Sequence, residues 1–389
     1  MKKKISMPMN EFPLLDNSNG VPLFFPYVPE SAIEKVKETL KTRWIGQGPK
    51  VDKFEQKILE LFAPKYAALA VGSGTDALHL AYILADIKKG DEVLVPVFTC
   101  TATNIPLLYI GAKPIFIDIN PNTMNIDLKK IESHITKKTK AIVCVDYGGY
   151  PCDYDELLSL CKKHKLKLIS DAAHSIGTKY RKSYACALAD FTIFSFQAIK
   201  TITTGDGGML LIKDRSLIKK AKRIRWFGID REAKQGGIWE NDIHEIGYKY
   251  QMTDISASMG LASLNDINKI ISYRKKIFSV YRKNLSGLKG LEVLPKSSRA
   301  DDDFCPWMVT ILTDHRLEIM KALREHNIES AQVHYRNDRY SIFGKRTKHC
   351  NNMDEIENKY LVLPLHMRLK DKDVKTICNI IKKTIEKYQ

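Results

Sequence analysis

Short runs of apolar and β-branched residues alternate with helix-period segments through the first two thirds of the chain. Seven such runs are candidate strands, at residues 67–71, 92–97, 114–118, 141–145, 166–170, 191–196 and 209–212. Between them lie helical patterns such as residues 76–87, where Ala77, Leu80, Ala81 and Leu84 share one face. Strands that alternate with helices predict an α/β architecture built on a mostly parallel sheet.

The pattern changes after about residue 260. Helical patterns cover residues 266–285, 316–327 and 370–388, and a strand-like run covers 308–312. These elements predict a smaller α+β domain. We therefore divide the chain into an N-terminal tail at 1–20, a large domain at 21–260 and a small domain at 261–389. The polar, glycine-containing segment 217–250 is interpreted as the connector between the domains.

Composition narrows the class of protein. The 389 residues hold no apolar run near the ~18 residues that span a bilayer, so no membrane partner is predicted. The N-terminus is basic but lacks the apolar stretch of a signal peptide, and the expected compartment is the cytoplasm. The eight cysteines are scattered without a C-x-x-C pair, which predicts reduced thiols and no metal site.

The formal net charge of +17 suits either a nucleic-acid partner or an anionic small substrate. The lysines are spread along the chain, and no RNA-binding signature of interleaved aromatic residues accompanies them. No nucleic-acid partner is therefore predicted. A non-catalytic or DNA-binding relative of an enzyme stays an alternative.

A glycine-rich string, Gly72-Ser73-Gly74-Thr75-Asp76-Ala77, follows the first candidate strand and opens a helix. Backbone N–H groups at a helix N-terminus, together with the hydroxyls of Ser73 and Thr75, form a cradle for an anion. The string also fits G-x-G-x-x-A, so an NAD-binding Rossmann oxidoreductase is an alternative. That alternative requires an acidic residue at the end of the next strand, whereas Asp91 and Glu92 precede or open it.

Lys200 and Asp171 each follow an apolar run, and a glycine-rich loop at 204–208 comes directly after the lysine. A pyridoxal phosphate enzyme needs such a pair: an amine that condenses with the aldehyde, and a carboxylate that keeps the pyridine nitrogen protonated. Apolar neighbours are expected to lower the pKa of Lys200. A helix N-cap is the alternative for Asp171. His174, three residues later, is either a core residue or a contact of the cofactor ring or its 3-oxygen.

The chain resembles the nucleotide-sugar aminotransferases of the pyridoxal phosphate fold-type I class, the DegT/StrS type that includes perosamine and viosamine synthases. The resemblance covers nearly the whole chain, and its specificity comes from several strings in the right order. These strings are Trp44-Ile45-Gly46-Gln47-Gly48-Pro49, Gly72-Ser73-Gly74-Thr75-Asp76-Ala77-Leu78, Gly90-Asp91-Glu92-Val93, Asp171-Ala172-Ala173-His174, Phe194-Ser195-Phe196 with Lys200, residues 203–209 and 247–254, and Leu363-Pro364-Leu365-His366.

The resemblance implies an α/β fold of pyridoxal phosphate fold type I. Its large domain would hold a mixed, mostly parallel seven-stranded sheet between helices, and its C-terminal domain would be a smaller α+β unit. The implied cofactor is pyridoxal 5'-phosphate, with pyridoxamine 5'-phosphate as the intermediate. A homodimer with shared active sites is also implied.

The resemblance assigns three catalytic residues: Lys200 as the Schiff-base lysine, Asp171 as the partner of the pyridine nitrogen, and His174. The cofactor-binding residues that it implies are these three together with Ser73, Gly74, Thr75, Cys100, Ser195 and Gln251. Gln251 would reach the phosphate in the neighbouring subunit, where relatives often carry Asn or Arg.

The substrate-binding residues that the resemblance implies are Trp44, His334, Arg336, Asn337 and Arg339. The stretch 333–340 resembles the segment that lines the sugar-nucleotide pocket, and the guanidinium of Arg336 or Arg339 suits a diphosphate. A solvated basic turn is the alternative for either arginine.

Two residues depart from the pattern of the family. Cys100 stands where relatives commonly carry an aromatic residue that stacks on the cofactor ring, so a softer sulfur contact, or Phe98, would take over that role. Asp146 stands where a histidine is usual. Some relatives carry histidine in place of the lysine and are dehydratases, and Lys200 argues against that activity.

The reaction that the resemblance implies is a two-stage transamination. L-Glutamate would give its amino group to the cofactor, and the group would pass to C4 of a nucleotide-linked 4-keto-6-deoxyhexose. The product would be a 4-amino-4,6-dideoxyhexose of the viosamine or perosamine type. The nucleotide and the configuration at C4 stay open, and a 3-keto-sugar aminotransferase of the same family is an alternative.

Overall fold

The computed structural model describes residues 15, 20–240, 242–296, 299 and 302–388. The predicted N-terminal tail, residues 1–20, lies outside the described residues apart from Leu15 and Gly20. The helices are α1 (Glu30–Leu40), α2 (Pro49–Phe62), α3 (Gly74–Leu84), α4 (Thr101–Tyr109), α5 (Leu128–Ile131), α6 (Tyr154–His164), α7 (Ile218–Arg225), α8 (Arg231–Gln235), α9 (Asp254–Asn265), α10 (Ile267–Leu285), α11 (Arg316–Glu325), α12 (Asn351–Ile356) and α13 (Asp371–Tyr388).

The strands include seven of five to seven residues that match the seven candidates in the sequence to within two residues at either end. The strands are β1 (Ala67–Val71), β2 (Glu92–Pro96), β3 (Phe98–Thr99), β4 (Lys113–Ile117), β5 (Thr139–Val145), β6 (Lys167–Asp171), β7 (Lys179–Tyr180), β8 (Ser183–Tyr184), β9 (Phe191–Ser195), β10 (Gly208–Ile212), β11 (Leu291–Val293), β12 (Val309–Thr313), β13 (Tyr335–Arg336) and β14 (Tyr360–Leu363).

The seven predicted strands form one sheet in the order β1-β10-β9-β6-β5-β2-β4. The five strands from β9 to β4 pair in parallel, and β10 runs antiparallel to both β9 and β1. The predicted mixed, mostly parallel sheet is therefore confirmed. The Rossmann alternative fails on topology, because β1 lies at an edge of the sheet beside an antiparallel strand.

Both faces of this sheet are covered, which explains why its strands are continuously apolar rather than alternating. Leu69 and Val71 of β1 belong to a core with Leu80 of α3. Ala68 and Ala70 point the other way and join a core with Phe194 and Met209. The sheet thus separates two hydrophobic layers, and its strand ends open at one rim.

The interpretation of residues 217–250 as a connector is wrong. Its first part is α7, which packs against β1 and α3. Ala221 and Ile224 of this helix lie in the same core as Leu69. The segment looks polar because most of the lysine and arginine residues of α7 face solvent, while only Ala221, Ile224 and Arg225 of this helix are buried.

A second, antiparallel sheet has the order β11-β12-β14. Its strands share a core with α10, α11 and α13, and the central contacts include Ile277, Tyr281, Ile319 and Ile381. The same part of the chain also reaches the large sheet, because β13 pairs with β3 and so brings Tyr335 opposite Thr99. We propose the division at residues 21–260 and 261–389 as the domain boundary, which falls within α9, the helix that packs on α1 and α2.

No helix within the described ranges is both long and apolar enough to cross a membrane.

Candidate active site

A cavity of about 360 Å³ opens at the carboxyl ends of three neighbouring parallel strands. Val145, Asp171 and Ser195 are the last residues of β5, β6 and β9, and all three line it. Ligands of open α/β sheets bind at this rim. The cavity brings together nine of the predicted site residues: Ser73, Gly74, Thr75, Cys100, Asp171, His174, Ser195, Lys200 and His334.

The anion cradle lies at the N-terminus of α3. Ser73 caps the helix, and its Oγ accepts a hydrogen bond from the backbone N–H of Asp76 at 3.0 Å. Two glycines allow the close approach of three chain segments. A Cβ on Gly208 would lie 2.2 Å from the carbonyl oxygen of Ser73, and one on Gly74 would lie 3.0 Å from the Cβ of Ser195. The cradle combines backbone N–H groups, the helix dipole and two hydroxyls, which suits a phosphate.

Asp171 is buried at the end of β6, with 4% of its surface exposed. Its Oδ2 accepts a hydrogen bond from Thr103 Oγ1 at 2.7 Å, and its Oδ1 accepts one from the backbone N–H of Ala173 at 3.1 Å. Burial raises the pKa of Asp171, while the nearby charge of Lys200 opposes that rise. Turns rather than a helix follow it, so the N-cap alternative fails. A cationic partner in the cavity would stabilise its ionised form.

Lys200 lies in a turn after β9, where its backbone N–H donates to the carbonyl of Gln197 at 2.9 Å. Burial of the amino group lowers its pKa to about 8. Its Nζ lies 3.9 Å from the centroid of the Trp307 ring. An amine with this pKa loses its proton far more readily than an exposed lysine, as condensation with an aldehyde requires.

Two histidines stack beside the lysine. The rings of His174 and His334 are 5.3 Å apart with an interplanar angle of 6°, and their Nε2 atoms are 3.4 Å apart. Burial lowers the pKa of His334 to about 3 and that of His174 well below its usual value, and the charge of Lys200 adds to both effects. Both rings are therefore neutral. The Nδ1 atom of His174 is buried without a hydrogen-bond partner, so it is not a satisfied core histidine.

Two residues of the site were not predicted from the sequence. Thr103 holds Asp171, and the buried ring of Trp307 stacks on His174 with centroids 4.0 Å apart. Thr103 lies one helical turn after Cys100 in α4, so the spacing alone places it on the same side of that helix. Trp307 carries no comparable signal, because it reaches the cavity from the far end of the chain.

Five of the predicted residues, Trp44, Gln251, Arg336, Asn337 and Arg339, lie outside the lining of this cavity. Trp44 lines a separate pocket of about 420 Å³ with Trp226 and Arg231. Gln251 forms an isolated β-bridge with Val71, and its Oε1 is buried without a hydrogen-bond partner. Arg339 and Asn337 lie beyond the cavity wall in the segment after β13.

The predicted contact of Arg336 with a diphosphate is corrected by the structure. Its guanidinium is fully buried, and Nε and Nη2 donate to Asp338 at 2.6 and 2.8 Å. It also pairs with Asp354 and lies 3.7 Å from Glu357. A guanidinium surrounded by three carboxylates has no group left for a substrate, and these pairs raise the pKa of Arg336 against the cost of burial.

Asn337 is likewise structural. Its Nδ2 donates to the carbonyl of Thr99 at 2.8 Å, and its Oδ1 accepts from Asn104 at 2.9 Å. The predicted substrate contact of Asn337 is corrected accordingly, because the fully buried side chain ties the 337–339 segment to α4 and β3. Arg339 differs, since its guanidinium lies over the Tyr335 ring at 4.7 Å and has no carboxylate partner in the described part of the chain.

The surroundings of Asp146 explain how a carboxyl group is accommodated at this position. It is fully buried and accepts hydrogen bonds from the Cys152 N–H at 2.9 Å, from Tyr154 Oη at 3.0 Å and from Ser175 Oγ at 2.9 Å. Burial raises its pKa to about 6. The carboxyl group thus connects the end of β5, the start of α6 and the turn that carries His174.

The residues of the cavity fit pyridoxal phosphate. The cradle at α3 suits its phosphate, the buried carboxylate of Asp171 suits a protonated pyridine nitrogen, and the pKa of Lys200 suits condensation with an aldehyde. The unpartnered Nδ1 of His174 provides a further polar contact for a ligand. Cys100, which caps α4, supplies a small polarizable wall rather than an aromatic ring.

Comparison with known proteins gives a match to the profile of the DegT/DnrJ/EryC1/StrS aminotransferase family over residues 26–382. The GDP-perosamine synthase of Escherichia coli O157:H7 is 34% identical over 365 residues, which cover 93% of this chain and 97% of that protein. The UDP-4-amino-4-deoxy-L-arabinose–oxoglutarate aminotransferase of Shewanella sediminis is 30% identical over 384 residues, with coverage of 94% and 98%.

The fold also matches solved structures. A protein of Streptococcus pneumoniae, named as a sugar aminotransferase and solved in its PMP form, superposes with a TM-score of 0.89. Its sequence is 29% identical, and the match covers 95% of this chain and all of that one.

Proposed function

The chain belongs to the DegT/DnrJ/EryC1/StrS aminotransferase family, and from that premise we propose the substrates of its reaction. It is a pyridoxal phosphate-dependent sugar aminotransferase. We propose that it moves an amino group from L-glutamate to C4 of a nucleotide-linked 4-keto-6-deoxyhexose. The product is an amino sugar nucleotide of the viosamine or perosamine type.

The observation that carries the proposal is the placement of Lys200 and Asp171 in one cavity beside an anion cradle. When bound, the cofactor supplies an aldehyde that takes up the amino group and a ring that withdraws electrons from the reacting carbon. The names of two relatives support the substrate class, since one is a GDP-sugar synthase and the other names a 4-amino sugar and oxoglutarate.

Lys200 is proposed as the residue that joins the cofactor and moves the proton. Its pKa of about 8 lets the amino group gain and lose a proton near neutral pH. In each half of the reaction Nζ carries a proton to or from the carbon that gives or receives the amino group, which for the sugar is C4. The loss of this amine is expected to stop both halves.

The other cavity residues orient the reactants. Thr103 holds the carboxylate of Asp171, which faces the position of the pyridine nitrogen in our assignment. Ser73, Gly74, Thr75 and Ser195 hold the phosphate. The neutral imidazoles of His174 and His334 add no charge beside Lys200, so the lysine stays free to exchange its proton.

Arg339 and Trp44 are our candidates for the nucleotide. Arg339 has no carboxylate partner within the described ranges, so its guanidinium is available to a diphosphate. Trp44 is 37% exposed, and its ring offers a surface for a base. Because Trp44 lies outside the cavity of its own chain, this role requires the second subunit of a homodimer.

A homodimer is supported by exposed apolar residues in two segments of the chain. Leu40 and Ile45 are 57% and 50% exposed, and Trp239 and Ile246 are 72% and 81% exposed. Several exposed apolar side chains within short segments are typical of a contact with another protein. We also propose the cytoplasm as the compartment, because all eight cysteines are unpaired thiols.

The proposal is tested with a panel of nucleotide-linked 4-keto and 3-keto sugars. Each is incubated with the purified protein, pyridoxal phosphate and ¹⁵N-labelled L-glutamate, and the products are read by mass spectrometry. We expect the label at C4 of a 6-deoxyhexose. Label at C3 alone would replace our assignment with the 3-keto alternative, and no label on any sugar would refute the substrate class.

The role of Lys200 is tested by its variant Lys200→Ala. The wild-type protein is expected to show the violet absorption of pyridoxal phosphate joined to a lysine, and glutamate should bleach it. Lys200→Ala should lose that absorption and the labelled product, whereas a matched change at the exposed Lys213, Lys213→Ala, should retain both. Violet absorption that survives in Lys200→Ala would show that another lysine binds the cofactor.

A further inference from the structure

Trp307 is held rigidly beside the cavity by three hydrogen bonds. Its backbone N–H donates to the carbonyl of Gly148 at 2.9 Å, and its own carbonyl accepts from Arg274 Nη1 at 3.1 Å. Its indole Nε1 donates to the carbonyl of Ile199 at 2.9 Å. The ring is fully buried, so its position is fixed by both its backbone and its edge.

The indole is also part of a stack of rings. Phe24 stacks on it with centroids 5.1 Å apart and an interplanar angle of 13°, and His174 stacks on it at 4.0 Å and 15°. The hydrogen bond to Ile199 joins the indole to the residue directly before Lys200. Trp307 therefore connects the two catalytic candidates Lys200 and His174 through direct contact.

The amino group of Lys200 has few partners apart from this ring. Its Nζ lies 3.9 Å from the centroid of the Trp307 ring, within the range of a cation–π contact. No hydrogen bond or ion pair of this amino group is found with any described residue. Burial destabilises the ammonium form, and the nearby Cys100 and Asp171 oppose that effect electrostatically, without a hydrogen bond.

We infer that the indole face of Trp307 is the position that the Lys200 amino group occupies whenever it is not joined to the cofactor, and that the ring stabilises its ammonium form. The catalytic meaning of this inference rests on the proposed role of Lys200. The amine must leave the cofactor and then act as acid and base. A rigid aromatic face keeps the charged group inside the cavity with its proton, where water would otherwise have to solvate it.

Trp307 is thus a positioning residue for Lys200, and its effect is electrostatic. The attraction comes from the negative face of the indole quadrupole. Fluorine atoms on the ring withdraw electrons and weaken that face, while they barely change the size of the ring and retain the Nε1 donor. Fluorination therefore separates the ring electrostatics from packing and from the hydrogen bond to Ile199.

The test replaces Trp307 with tryptophan carrying one, two and three fluorine atoms, introduced at this site alone in the full-length chain without cofactor. The pKa of Lys200 is measured by competitive acetylation of the free amine at several pH values, with the labelled peptide read by mass spectrometry. We expect the pKa to fall at each step, by about one unit for the trifluorinated ring. A pKa that stays constant across the series would overturn the inference.

Two controls separate this effect from general damage to the cavity. The same fluorinated residues at Trp239, which is 72% exposed, should leave the pKa of Lys200 unchanged. Phe24→Leu removes one of the other rings that stack on Trp307. It should lower the melting temperature and leave the pKa of Lys200 close to its wild-type value. If Phe24→Leu lowered the pKa of Lys200 as much as the trifluorinated ring does, the effect would be one of packing. That result would also overturn the inference.

The result is independent of the proposed function. If the pKa falls with fluorination but the protein transfers no label from glutamate to any sugar, the contact stands and the proposed substrates fail. If the label is transferred while the pKa stays constant, the aminotransferase assignment stands and the role of Trp307 fails.

Discussion

At the scale of single residues, one physical cause acts in opposite directions on the two groups that define the site. Burial in the same cavity lowers the pKa of Lys200 and raises that of Asp171, because each is driven toward its neutral form. Their mutual attraction opposes both shifts. A cofactor with a cationic ring nitrogen would move this balance further toward an ionised Asp171.

Asp146 shows the same effect outside the cavity and allows a prediction about stability. Burial raises its pKa from 3.8 to about 6, so between these values the folded protein binds a proton that the unfolded chain does not. The stability from this group is therefore present at low pH and is lost as the pH rises from about 4 to 6. The loss is on the order of 3 kcal/mol.

Asp146→Asn should remove this pH dependence. The amide keeps an oxygen acceptor for Tyr154 and Ser175 but does not titrate. We expect the free energy of unfolding of the variant, relative to the wild type, to increase as the pH rises from about 4 to 6. Urea titrations at several pH values measure the difference, and a constant offset from altered hydrogen bonds does not change its slope. A flat or falling difference would contradict the raised pKa.

At the scale of elements, the site depends on the close approach of β10 to the start of α3. Gly208→Ala would place a Cβ 2.2 Å from the Ser73 carbonyl and 2.7 Å from the backbone nitrogen of Gly74. Both contacts are with backbone, so β10 or the cradle must move. We expect a loss of stability of about 1–3 kcal/mol and weaker cofactor binding.

Gly46→Ala is a matched control for that substitution. A Cβ on Gly46 meets no atom within 4 Å, so the same chemical change has space. Thermal unfolding and titration with pyridoxal phosphate compare the two variants. Equal cofactor affinity in Gly208→Ala and Gly46→Ala would show that the cradle adapts to the added methyl group.

The elements also show what the sequence could predict. The strands of the large sheet were found within two residues, because strands buried on both faces are continuously apolar. Lys200 and Asp171 were found because each follows such a strand. The connector was misread, since α7 buries only a narrow stripe.

Other residues depended on tertiary contacts that no local pattern records. Trp307 reaches the cavity through hydrogen bonds to Gly148 and Ile199, both distant in the sequence. Arg336 looked available to a substrate, but its carboxylate partners Asp354 and Glu357 follow about twenty residues later on α12 and its end. Asp338, only two residues away, supplies part of this pairing, but the fold rather than the local sequence brings in the other two carboxylates.

At the scale of the whole molecule, the proposed shared sites predict complementation between two inactive variants. Lys200→Ala removes the reactive amine of its own chain, and Gln251→Glu places a negative charge where we propose contact with the phosphate of the other subunit. In a mixed dimer one of the two sites carries neither change. Equal mixing should restore about one quarter of the wild-type activity, because half of the dimers are mixed.

The mixture is prepared by refolding the two chains together, with a different affinity tag on each. Purification over both tags isolates the mixed dimers, and the labelled sugar product measures their activity. Mixed dimers without activity would show that each site is built from one chain. A protein that elutes as a monomer would remove the basis for shared sites altogether.

The antiparallel position of β10 has a consequence for synthesis on the ribosome. Strand β1 pairs with β10 and with no other of the described strands, although about 140 residues of chain separate them. Strand β1 therefore leaves the ribosome first, but it cannot pair until β10 is complete at Ile212. The cavity cannot form, and the coenzyme cannot bind, before that residue has been added. During that interval the unpaired edge of Ala67–Val71 is exposed for longer than any other strand of the sheet, and chaperones can bind to it.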